Sequence, residues 1–288
     1  ALCLTIFFSV QIPVKNVLAQ DSLDEGDTYA MSGGTPDESR SQAALMAFER
    51  YDRARRYDPD WSDAWERYGL LLGTIRGLDE GIQALQHARE LSPTNYRPFM
   101  SMAQLYEHYG KFGKAVEMYQ QGLSYFPNHT KTMKRLAEAY RSMGRPDESL
   151  RVYARMLEGE DDPYNRYRAL SDVDVDTNFA FAHYEVGLAM QRAAGRGQQD
   201  AFQVALNEYS AALRIIAEYF DKAEEYDKMF MALRRPREYR AEDMRMLQAR
   251  TLWRMADVYA SLDMEEQERE HRRLAGRAWP DVEEASQG

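Results

Sequence analysis

Cysteine is almost missing from this 288-residue sequence, and the one present, Cys3, lies in an apolar stretch at the start. The chain therefore forms no internal disulfide, and beyond that stretch it offers neither a thiolate metal site nor a cysteine nucleophile. Histidine is scarce and scattered. His87, His108, His129, His183 and His271 include no pair at metal-ligand spacing on one helix face. Positive charge is in deficit: 37 Lys and Arg against 47 Asp and Glu leave a formal net charge of -10. That disfavours non-specific attraction to nucleic acid or to an anionic membrane. The apolar run Ala1–Val10 is too short to cross a bilayer, which takes about 20 apolar residues. The "GRG" at Gly195 lacks the strand and third glycine of a nucleotide loop. No catalytic residue, cofactor or metal is expected, and the chain reads as a non-enzyme.

The same N-terminal stretch leads into Val17-Leu18-Ala19. Small residues at these two flanking positions are what a signal peptidase reads, so residues 1–19 are expected to be a signal peptide. Export to a periplasmic or extracellular site, with no membrane span after cleavage, follows. Retention of the segment as an anchor is the alternative. Residues 20–38, acidic and rich in Gly, Ser and Asp, read as a flexible linker.

What the sequence has in abundance is a period of 34. Pro59, Pro93 and Pro127 are spaced by it, as are Tyr51, Leu85, Tyr119 and Tyr153. Trp65, Phe99 and Met133 form another series, and so do Gly69, Ala103 and Ala137. Small residues recur at Ala47, Gly81, Ala115 and Ser149, and again at Ala54, Ala88 and Gly122. Two antiparallel helices approach closely only where side chains are small, so Gly69, Gly81 and Ala88 mark close contacts, with Trp65, Tyr68, Leu72 and Leu85 around them. Pro93 ends a second helix, and Gly110 and Gly144 turn the chain inside the next two units.

This pattern resembles the tetratricopeptide repeat family, with three consecutive copies over residues 62–158. The resemblance implies an all-α, right-handed superhelical solenoid of antiparallel helix pairs. Residues 39–158 are then an N-terminal helix plus three repeats; Arg40–Tyr57 fits only the second helix of a repeat, since Gly33, Gly34 and Pro36 stand where the first would be. Residues 159–178 interrupt the period, with a short helix expected from Asp162 and Pro163. Residues 179–280 read as two divergent repeats. Their first pair ends in a long helix running toward Pro236, and the last unit, Ala249–Pro280, carries Glu268 and Arg272 where Ala and an aromatic are usual, as a polar capping unit would. A tail, 281–288, follows.

In that family the first helices line a concave groove that takes extended peptides or helices. The resemblance places Arg97, Met100, Gln104, Lys131, Lys134, Arg135, Glu138 and Arg141 along its middle. Phe181, Tyr184, Leu188 and Trp253 follow toward the C-terminus, giving a basic centre and an apolar end. Some members clamp a C-terminal carboxylate; Lys131 and Arg135 match one part of that clamp, but Glu66, Leu70 and Ser101 replace the rest, so the clamp is incomplete. Asp172, Asp174, Asp176 and Asn178 alternate like a calcium loop. Thr177 and His183 replace its turning Gly and bidentate Glu, which favours a solvated loop capping the next helix. The expected function is an envelope adaptor that binds a protein or peptide partner. A structural subunit with a permanent helical interface, and an enzyme or small-ligand sensor on the same scaffold, stay open as alternatives. The sequence is silent on oligomeric state.

Overall fold

In a computed structural model, the described residues are 17–27, 37–160, 175–223, 225, 228 and 241–280. They form twelve helices and no strand, and they divide into two compact units, Ala1–Pro127 and Asn128–Gly288. The division falls inside the regular array rather than at the insertion.

The first unit holds α1 (17–27), α2 (Asp37–Tyr57), α3 (Ser62–Ile75), α4 (Leu78–Leu91), α5 (Arg97–His108) and α6 (Phe112–Tyr125). α3 pairs with α4 and α5 with α6, while α4 also packs on α5. Leu78, Ile82, Leu85, Phe99, Met102 and Leu105 make its core. The second unit holds α7 (Thr130–Ser142), α8 (Pro146–Leu157), α9 (Asn178–Ala194), α10 (Ala201–Asp221), α11 (Ala241–Ser261) and α12 (Glu265–Ala278). Here α7 pairs with α8, α9 with α10 and α11 with α12, with α8 against α9 and α10 against α11.

The periodic positions do the packing their spacing predicts. Leu85, Tyr119, Tyr153 and Tyr209, one from the second helix of each pair from α3–α4 to α9–α10, are among the largest fully buried side chains. Gly69 lies against Leu85: a β-carbon there would stand 3.0 Å from Leu85 Cγ. The tightest approach uses a residue the period does not mark, because a β-carbon on Gly81 would stand 2.4 Å from the Cα of Gly73. Gly110 and Gly144 turn the chain at φ +67° and +71°, a left-handed conformation that glycine adopts without strain.

Three expectations are revised or fall elsewhere. Residues 17–27, read as the end of a leader and the start of a linker, are helical. Ala19 and Leu23 on that helix are buried, and Leu23 packs with Ala47, Tyr51, Ala54 and Ala64. This helix supplies the partner that α2 lacked in the sequence reading. A β-carbon on Gly26 would stand 2.5 Å from the Tyr51 ring, the same small-against-large contact that Gly187 makes with Tyr209 at 2.8 Å. α10, expected to run toward Pro236, spans 21 residues to Asp221 and is capped by Lys222; most of 224–240 lies outside the described residues. So do Asp162, Pro163, Asp172 and Asp174.

Candidate functional site

In the first unit, α3 and α5 carry the expected face. Arg97 is exposed and pairs with Asp63 at 3.3 Å, Met100 is buried, and Gln104 is half-buried. Beside them lies a polar chain that the sequence reading missed. The buried carboxylate of Glu66 accepts a hydrogen bond from the Ser101 hydroxyl, and Arg67 Nη1 lies 3.5 Å from its other oxygen. Burial holds the Glu66 carboxyl above the usual range, against the opposing pull of Ser101, Arg67 and Arg97. Arg67 Nε also donates to both oxygens of Asp27, at 2.7 and 3.1 Å, and the Tyr51 hydroxyl donates to Asp27 at 2.8 Å. Four helices thus share one network. Its clue in the sequence is Glu66 itself, a carboxylate at a first-helix position where the clamp of the resembled family carries a lysine.

In the second unit, α7 and α9 carry most of the expected residues and bring Lys134 onto Phe181. Lys134 Nζ donates to Glu138 at 2.6 Å and lies 4.5 Å from the centre of the Phe181 ring. The Lys134 side chain is only 12% exposed, so these contacts operate out of bulk water and are stronger for it. Arg141 Nη1 is ion-paired with Glu185 of α9. Lys131 is half-buried, Arg135 exposed and Leu188 half-buried. Two residues point elsewhere. Tyr184 is buried, its ring centre 6.1 Å from that of Tyr209 on α10, and its hydroxyl meets Arg254 of α11. Trp253 is half-buried in the α11–α12 pair, where it packs against Ala249, Leu252 and Ala275. The Arg272 guanidinium covers it at 4.0 Å.

His183 is held at both ring nitrogens, Nδ1 to Glu208 at 2.7 Å and Nε2 to Glu160 at 2.8 Å. Burial lowers its pKa, but the hydrogen bonds and charges of the two carboxylates outweigh that and push it up to about 9, so the ring is an imidazolium at neutral pH. Asp176 accepts hydrogen bonds from the Thr130 hydroxyl at 2.7 Å and from the Asn178 backbone at 3.0 Å, a cap at the start of α9. Among the described residues no group of three or more His, Cys, Asp or Glu is placed to hold a metal ion. No helix among them is long and apolar enough to cross a membrane.

Chemically, this face offers paired charges and the ring of Phe181 on neighbouring first helices, groups of the kind that can engage a polypeptide segment. Known proteins give the same architectural answer. Residues 108–171 match the tetratricopeptide repeat family. The chain is 23% identical over 198 residues to the protein CTR9 homolog of Arabidopsis thaliana, covering 68% of this chain but 17% of that protein. Among solved structures it is similar to pilF of Pseudomonas aeruginosa, with 11% identity, a TM-score of 0.55, and coverage of 95% of this chain and 98% of that one. It is also similar to YrrB, described as a tetratricopeptide protein with an unusual peptide-binding site, with 14% identity, a TM-score of 0.49, and coverage of 84% and 100%. Residues 108–171 carry tetratricopeptide repeat sequence, and the fold is an all-helical repeat fold of the tetratricopeptide kind.

Proposed function

We propose that this chain is an exported adaptor of the cell envelope that binds a segment of a partner protein along the first-helix face of its second unit. The observation that carries the reading is the meeting of α7 and α9, where Lys134 lies on Phe181 and Arg141 reaches Glu185. Leu188 lies one helical turn beyond Tyr184 on α9, and Lys131 and Arg135 flank Lys134 on α7. A partner segment with acidic side chains exchanges places with Glu138 and Glu185, so the cations keep a carboxylate partner throughout, and an apolar residue of the segment covers the ring of Phe181. Preformed helix pairs hold this face still, so ordering falls on the incoming segment alone. Export is supported by the apolar run and the Val17–Ala19 pattern.

The test is affinity capture from the envelope fraction of the source cell, with a Lys131→Glu, Arg135→Glu, Leu188→Asp variant as control. A protein retained by the wild type and lost from the variant, then shown to bind directly as a purified component, supports the reading. Equal recovery on both removes this face from consideration. Light scattering on the purified chain separates an adaptor from an obligate subunit: a stable monomer goes against the permanent-interface alternative.

A further inference from the structure

We propose that the Ala19–Gln20 peptide bond is a processing site that the fold itself closes, so that cleavage there is confined to the time before α1 docks. The proposal rests on the export reading and adds to it a timing device. The step is hydrolysis by a peptidase of the signal-peptidase class: water adds across the amide, leaving a carboxylate on Ala19 and an ammonium on Gln20.

Such a peptidase reads the residues one and three places before the cut, here Ala19 and Val17. In an extended chain, side chains two apart point to the same side and enter neighbouring pockets. On a helix they point apart, and the folded chain shows this: Val17 is 57% exposed while Ala19 is fully buried. The bond is therefore unreadable until the first turn of α1 unwinds.

An 11-residue helix such as 17–27 is marginal by itself in water, so its order depends on the seat it occupies. That seat is built on α2 and α3. Leu23 enters the apolar cluster around Tyr51, and Gly26 lets the Tyr51 ring come close. Asp27 takes Arg67 and Tyr51, and Glu25 pairs with Arg50 at 2.7 Å. All of these anchors lie after Ala19. A chain cut before docking keeps them and still folds its shortened helix onto the same seat, so the processed N-terminus is part of the first helix pair and not a free tether.

The test uses purified detergent-solubilised signal peptidase on three substrates: a synthetic peptide of residues 8–27, the folded full chain, and its Gly26→Val variant, with mass spectrometry of products that begin at Gln20. The peptide and the variant are expected to be cut after Ala19, and the folded chain at least about tenfold more slowly, the ratio reporting how seldom the helix opens. An uncut peptide overturns the site and the export reading with it. A folded chain cut as fast as the variant overturns the masking and leaves export standing. Should Gly26→Val unfold the first unit, Asp27→Asn serves instead: with helicity retained by circular dichroism, a rate above the wild type supports the seat and a wild-type rate overturns it.

Discussion

The α3–α4 pair and the α11–α12 pair share one repeat register and close by different means. In α3–α4 the second helix reaches the first through glycine: Gly81 meets Gly73, Gly69 meets Leu85, and Leu85 is fully buried. In α11–α12 the position of Leu85 holds Arg272, which lies on Trp253, donates to Asp257 at 2.8 Å and leaves its Nη1 buried without a hydrogen-bond partner among the described residues. Glu268 stands where Gly81 does, and α12 buries only Ala275. The interior pair is sealed by shape, and the terminal pair by charge over one aromatic ring. Charge over a single ring fills the space between two helices less closely than interlocking small and apolar side chains do, so the α11–α12 closure is the looser one.

The most direct way to break this contrast is Gly81→Ala. Its methyl would stand 2.4 Å from Gly73 Cα and 2.8 Å from Gly73 N, and backbone cannot yield as a flexible side chain does. A loss of about 3 kcal/mol is expected. Glu268→Ala, at the matching place in α12, should cost less than about 0.5 kcal/mol. Urea unfolding followed by circular dichroism compares the two, and similar midpoints for both variants would remove the distinction.

A second expectation concerns the α9–α10 pair, where charge has entered the interior of the array. His183 bridges Glu160, at the end of α8, and Glu208 of α10; Arg214 stands 3.9 Å from Glu160. The folded pKa is raised from 6.5 to about 9, so the folded chain binds this proton more tightly than the unfolded chain. The stabilisation is complete below pH 6.5 and is lost as pH rises through about 9. A decline on the order of 2 kcal/mol across that window is expected. His183→Gln should start lower and stay flat over the same range, and a wild-type slope in that variant would assign the dependence to other groups.

The packing positions were legible because they recur. Leu85, Tyr119 and Tyr153 announce themselves by spacing, and burial follows. Two of the charged contacts were not, because their partners are separated by an interruption of the period. Arg141 finds Glu185 and Glu160 finds His183 over the 159–178 insertion, where a fixed offset has no meaning. Of the expected groove residues, Lys134 meets Phe181, whereas Tyr184 turns toward Tyr209 and Arg254, and Trp253 turns into its own helix pair. Periodicity sets which helix a residue is on but not how far its side chain is drawn toward a neighbour. α1 escaped notice for a related reason. Its pattern is Ala19, Leu23 and Gly26 alone, set among acidic residues that read as solvated chain until Arg67 is seen to claim Asp27.

Arg272 gives a sharper test of the terminal pair. Arg272→Ala should cost about 1 kcal/mol, from the lost stack on Trp253 and the lost bond to Asp257. Arg272→Tyr should recover most of it, since Tyr119, Tyr153 and Tyr209 fill the same place in other pairs. Thermal melts rank the three proteins. A tyrosine variant less stable than the alanine one would mean that α11–α12 has departed from the repeat in backbone as well as in side chain.

The smallest effect tests that same point at the turn. Gly110 and Gly144 close their turns with the same pair of backbone bonds, Gly110 N to Glu107 O and Lys111 N to Tyr106 O, Gly144 N to Arg141 O and Arg145 N to Tyr140 O. Asp263 makes the matching pair, Asp263 N to Ala260 O and Met264 N to Tyr259 O, at φ 56°. An L-residue is strained in that left-handed region, and aspartate less than most. Asp263→Gly should therefore raise stability by about 0.5 kcal/mol, and Gly144→Asp should lower it by a similar amount. If both shifts appear in thermal melts, the terminal unit keeps the turn of its neighbours and differs from them only in what fills the space between its helices. A loss on Asp263→Gly would show instead that the carboxylate holds the turn, and the terminal pair would then owe its connection, as well as its closure, to charge.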